Sequence, residues 1–167
     1  MIRPILGFDQ SILREKTRRV GRVDDSTRQL LDDLVETMLA APGAGLAAPQ
    51  IGVGLRVCVV KGDESQIFQI VNPELVKGSG EQIGYEGCLS YPGWIGEVAR
   101  YESVVVKGLS RKGKAVRIKA EGFTARAFQH EIDHLDGILF TDRLTSLDTL
   151  VSVEDREPVD EPAVVEA

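Results

Sequence analysis

The sequence predicts an α+β fold, and three observations carry that reading. Apolar residues recur at helical spacing in two stretches, 26–40 and 123–137. Several short runs are strand-like, and two of them, within 103–122, form a hairpin pattern. Helical and strand-like stretches do not alternate regularly, which separates an α+β arrangement from a doubly wound parallel sheet. A chain of 167 residues, 43% hydrophobic and 28% charged, is about one domain with a core of its own.

The opening "MIRPILGFDQSILREKTRRV" has no continuous apolar stretch of signal-peptide type, and Asp9 and Glu15 interrupt its arginines. A cytoplasmic protein is expected, and no run approaches the roughly 20 apolar residues of a membrane helix. The first helix, 26–40, places Leu30, Leu31, Leu34, Val35, Met38 and Leu39 on one stripe. Ser26 and Gln29 fit a capping box at its start, and Pro42-Gly43 ends it. A Gly-rich loop, "GAGLAAPQIGVG", follows, then a strand around 55–61. The run 67–76 is strand-like until Asn72-Pro73, where a break is predicted. The hairpin turns near Arg111–Gly113, and the second helix, "FTARAFQHEIDHLDG", stops at Asp136-Gly137.

The net charge of −6 is unevenly distributed: the last seventeen residues hold six acidic residues and one arginine. The remainder is close to neutral, with no basic field of the kind that binds nucleic acid. Residues 147–167 are expected to be a mobile acidic tail, and residues 1–146 the working domain. Two cysteines make no disulfide framework and would be thiols in a reducing compartment. Cys58 lies in the apolar run "LRVCVV", whereas Cys88 lies in "EGCLS" among turn residues.

The chain uses histidine only twice, at His130 and His134, around Glu131. On a helix, residues i and i+4 share a face one turn apart. Both imidazoles can therefore reach one cation, at about 2.0–2.1 Å for zinc. Glu131 projects roughly 100° around the axis, near the ion without binding it, where it can take a proton from activated water. Two imidazoles need a third donor. In the extended motif H-E-x-x-H-x-x-G-x-x-H the third ligand position is Phe140 here, and the next glutamate downstream is Glu154. Cys88 is the most economical donor, and two imidazoles with one thiolate leave a position open for water or substrate. "GAGLAA" matches a dinucleotide fingerprint in letters only, because a helix precedes it and Pro49 follows it. Close backbone approach to an extended ligand explains its glycines better, with Gln50 presenting an amide at the loop's end. These residues alone leave open another metal-dependent amidase or peptidase with the same helix, or a metal-stabilised binding protein without turnover.

Three segments together resemble the peptide deformylases: Gly43-Ala44-Gly45-Leu46-Ala47-Ala48-Pro49-Gln50, Glu86-Gly87-Cys88-Leu89-Ser90 and Gln129-His130-Glu131-Ile132-Asp133-His134. They stand in family order, and the likeness extends from "ILGFDQSILR" to about Leu144. The resemblance implies antiparallel β-sheets packed around a central helix that carries the His-Glu-x-x-His motif. It implies Cys88, His130 and His134 as ligands of one divalent ion, Fe²⁺ natively with Zn²⁺ or Ni²⁺ as substitutes. Glu131 would be the catalytic base, and the Gln50 amide and Leu89 N–H would stabilise the formyl oxygen. The substrate implied is an N-formylmethionyl nascent peptide, met at the ribosome, which lies as an added strand near Ala44, Gly45 and Gly87. Phe123 and Ala127, with His130, are candidates for the methionine pocket. Asp133 is expected to brace Arg100 or to form a surface ion pair. Trp94, where many relatives are polar, either stacks on the peptide or covers core.

Overall fold

A computed structural model describes residues 1–155 and the two residues 165–166. Among them the elements are helices α1 (Asp25–Ala40) and α2 (Gly122–Leu135) and nine strands. The strands are β1 (Gly45–Ala47), β2 (Val57–Lys61), β3 (Ile67–Ser79), β4 (Gln82–Cys88) and β5 (Tyr91–Arg100), followed by β6 (Ser103–Leu109), β7 (Ala115–Glu121), β8 (Val151–Ser152) and β9 (Val165–Glu166). A five-stranded sheet runs β1-β2-β3-β6-β7 with every pair antiparallel. A four-stranded sheet runs β8-β5-β4-β9, antiparallel except for the short β4–β9 pair. This is the expected α+β architecture.

β2 shows why its sequence reads as an unbroken apolar run. Successive strand residues point to opposite faces. Val57 and Val59 pack with Leu30, Leu31, Leu34 and Met38 of α1, whereas Cys58 and Val60 pack with Ala125, Phe128, Ile132 and Leu135 of α2. The five-stranded sheet is therefore covered by one helix on each face. α2 in turn lies between that sheet and the β4–β5 hairpin.

Two local expectations are corrected. The cap of α1 is Asp24, whose carboxylate accepts the Thr27 N–H at 3.1 Å while the Thr27 hydroxyl accepts the Asp24 N–H at 3.4 Å. Ser26 instead donates its hydroxyl to Asp24, since a carboxylate is the stronger acceptor at the positive end of a helix. Leu39 is 53% exposed, because the six apolar residues span a wider arc than the sheet covers. Second, β3 continues through Asn72-Pro73. The missing proline N–H is absorbed by register shifts between Val71 and Glu74 and again between Leu75 and Lys77. Asn72 takes φ 53°, and its amide pairs with the N–H and C=O of Val20 at 2.8 and 2.9 Å.

β1 falls inside the predicted loop, and β4 and β5 carry no clear period in the sequence. The β6–β7 hairpin and the stop of α2 are as expected, with Gly113 and Gly137 at φ 78° and 76°. Residues 147–152, read from sequence as tail, form a 3-10 turn (Leu147–Thr149) and β8 against β5. Residues 156–164 and 167 lie outside the described residues, so the expectation of a mobile tail falls largely there. No helix among the described residues is long and apolar enough to cross a membrane.

Candidate active site

α2 is buried on both faces, and its sequence divides them. Ala125, Phe128, Ile132 and Leu135 face the five-stranded sheet. Arg126, His130, Asp133 and His134 face β4 and β5. The strand β4 then brings Cys88 to the helix: its Sγ lies 3.3 Å from His134 Nε2. One donor atom each from Cys88, His130 and His134 lies within 4.8 Å of the others, and all three residues are buried.

The chemistry of these donors fits a cation. His130 Nδ1 is 2.8 Å from Glu86 Oε1, which turns Nε2 inward, where it is buried without a hydrogen-bond partner. Burial, with help from His130 and Arg100, lowers the His134 pKa well below the usual imidazole value, so the ring is neutral and able to ligate. Burial raises the Cys88 thiol to about 12, and the Glu131 and Glu86 charges add to the effect. A sulfur so placed becomes a thiolate near neutral pH only with a cation beside it.

Glu131 is fully buried and neither carboxyl oxygen has a partner. Burial and the Glu86 charge push its pKa well above the ordinary carboxylate range, against the pull of Arg100. A buried carboxyl without hydrogen bonds is costly unless an ion, water or ligand completes it. Gly45 backs onto this side chain: a Cβ there would stand 2.9 Å from Glu131 Cγ. The glycine of the first motif therefore makes room for Glu131 as well as for any ligand.

Gln50 is held by its carbonyl, which accepts the Ala47 N–H at 3.0 Å. Its Nε2 donates to Ser90 Oγ at 3.1 Å and lies 3.8 Å from Cys88 Sγ. Leu89 follows Cys88 in the two-residue turn between β4 and β5. Gly87 directly precedes Cys88 and pairs with Ile95 of β5. The Ala44 carbonyl accepts the Lys61 N–H at 2.9 Å. Ala127 is fully buried in the core beneath α2, and Phe123 packs partly buried against the same cluster.

Asp133 proves to be a brace. It is buried, and it accepts Arg143 Nε and Nη2 at 2.8 and 2.9 Å as well as a short contact from Arg100. Trp94 is exposed on β5, opposite Ser152. The residue that sequence reasoning missed is Glu86. Its carboxylate takes Arg100 Nε and Nη2 at 2.8 and 2.9 Å, Arg126 Nη1 at 2.7 Å, and the His130 contact. The only sign of it in the sequence is its place two residues before Cys88. Gln129 is likewise structural, exchanging hydrogen bonds with the Tyr101 backbone at 2.9 and 3.0 Å.

Known proteins are similar to this chain in architecture and in sequence. The family model described as polypeptide deformylase matches residues 2–149. A peptide deformylase of Symbiobacterium thermophilum is 54% identical over 157 residues, covering 93% of this chain and 71% of that protein. One of Thermomicrobium roseum is 48% identical over 164 residues, with 93% of each chain covered. The crystal structure of a peptide deformylase from Legionella pneumophila superposes with a TM-score of 0.84 at 46% identity over 89% of each chain. With the family match taking in both helices, strands β1 to β7 and every ligand candidate, the chain belongs to the polypeptide deformylase family.

Proposed function

We propose a division of labour among these residues for the reaction of the family, the metal-dependent hydrolysis that removes the formyl group from formylated nascent polypeptides. Cys88, His130 and His134 hold one divalent ion, Fe²⁺ natively, with Zn²⁺ or Ni²⁺ able to replace it because all three accept this mixed sulfur and nitrogen set. When bound, the ion would supply Lewis acidity, which makes water easier to deprotonate.

Glu131 takes the proton from the attacking water and later delivers it to the departing amine, so that formate and a free methionine N-terminus leave. Burial raises the Glu131 pKa, and a cation beside it would oppose that rise by favouring the ionised carboxylate a base requires. The Gln50 amide and the Leu89 N–H stabilise the charge that develops on the formyl oxygen. The peptide main chain lies extended beside Ala44, Gly45 and Gly87, adding a strand. Phe123 and Ala127 contribute to the methionine pocket. The enzyme works in the cytoplasm, on chains emerging at the ribosome.

The observation that carries this reading is the buried trio of donors with unpartnered Glu131 oxygens beside it. The test is anaerobic purification, metal analysis and formate release from formyl-Met-Ala-Ser on one sample. Formate is expected, with no cleavage of internal peptide bonds; none above blank with metal loaded overturns the reading. Glu131→Gln should keep its metal and lose about 10²–10⁴-fold in kcat. A fully active variant would remove Glu131 from the mechanism. If iron is native, air should inactivate the iron form faster than an anaerobic control by oxidising the metal or Cys88.

A further inference from the structure

The four-stranded sheet contains a strand from the end of the sequence. One edge of β4 is taken up by β5 along its length. On the other edge β9 pairs in parallel, with Val165 opposite Glu86 and Glu166 opposite Gly87. β9 also lies beside α2. Glu86 is the carboxylate that holds His130, and Gly87 immediately precedes the ligand Cys88. This short strand therefore lies against the residues next to the metal centre, on the single edge of β4 that β5 leaves available.

A strand edge presents one row of N–H and C=O groups and accepts one partner at a time. We propose that residues 165–166 act as an intramolecular competitor of the formylated peptide: β9 occupies the Gly87 edge and must leave before a substrate strand can add there. This inference rests on the placement of the substrate main chain at Gly87 proposed above. The connection is long enough. β8 and β9 flank β5 and β4, about 14 Å apart at ordinary strand spacing. The residues between Ser152 and Val165 could span more than twice that distance, at about 3.3 Å each. A two-residue pairing is weak by itself, but a short tether raises its effective concentration to about the millimolar range. Partial occupancy follows, and with it a raised KM instead of a closed enzyme.

The test compares the full chain with its V165P/E166P variant, in which proline has no N–H to donate and cannot sustain a ladder. The variant should keep the kcat of the parent, while its KM for formyl-Met-Ala-Ser falls about two- to tenfold. Those limits correspond to a Gly87 edge covered for about half to nine-tenths of the time. A synthetic peptide of residues 156–167 added to the variant should raise KM again without changing kcat. Amide exchange across β4 should be slower in the parent than in the variant. Equal KM values, or a peptide that lowers kcat instead of raising KM, overturn the competition. Equal amide exchange overturns the docking whatever the activity. Failure of both chains to release formate counts against the deformylase assignment, and exchange then still decides whether β9 docks.

Discussion

At Glu86, a fully buried carboxylate stays ionised because Arg100 and His130 donate to it, which outweighs the burial that would otherwise raise its pKa. Removing the charge leaves Arg100 and Arg126 buried with too little to pair with, at a cost of about 3–5 kcal/mol. It also removes the brace that points His130 Nε2 inward, so Glu86→Gln should weaken metal binding about 10–100-fold in a competitive chelator titration. The pH dependence follows from the lowered pKa. The contribution of Glu86 to stability is complete above its ordinary value of 4.5 and is lost as pH falls below that toward its depressed folded value. Thermal unfolding should therefore show stability dropping with acidification below about 4.5, with a shallower slope in the Gln variant. Gly45 makes the second residue-scale prediction. A methyl group there would collide with Glu131 Cγ at 2.9 Å and move the carboxyl. Gly45→Ala should lose about 10²-fold in kcat with metal content unchanged, because a shift of about 1 Å is enough to misplace a catalytic group.

Among the elements, α2 was legible and β4 was not. Two periodic faces and a Gly stop announce the helix whatever surrounds it. β4 reads Gln-Ile-Gly-Tyr-Glu-Gly-Cys, with two glycines and a charge that only Arg100 and Arg126 make tolerable. Strand propensity is silent there because partners supplied by β5 and α2 decide the fold of the segment. β3 shows the converse. Asn72-Pro73 is a sound turn signal, yet tertiary hydrogen bonds to Val20 convert it into a bulge inside a strand. Asn72→Ala should therefore lower stability by about 2–3 kcal/mol, from two lost hydrogen bonds and a left-handed backbone position that alanine tolerates less well. Chemical denaturation would check this; an unchanged midpoint would mean that the bulge holds without the side chain.

At the scale of the molecule, the candidate metal site ties α2, packed on one sheet, to β4 of the other. An ion that binds only the folded chain should stabilise it by about 4 kcal/mol at a thousandfold excess over its Kd. Chelation should lower the melting temperature and readdition of the ion restore it. Equal melting temperatures would show that the ion adds nothing to the join between the sheets. The same join explains which parts of the site were readable. His130, Glu131 and His134 share a helix, so local geometry alone sets their relation. Cys88 could be selected only as the best remaining donor, and Glu86 could not be assigned a role at all, since its partners lie 14, 40 and 44 residues away. The chain alone pointed to a helical donor pair around Glu131, because helical periodicity and the scarcity of histidine survive any choice of fold. Folding then set which charges surround those donors and which strand lies beside β4. Buried charges and unpartnered atoms arise only where distant segments meet and exclude water, and the Gly87 edge gains its neighbour only in the folded sheet.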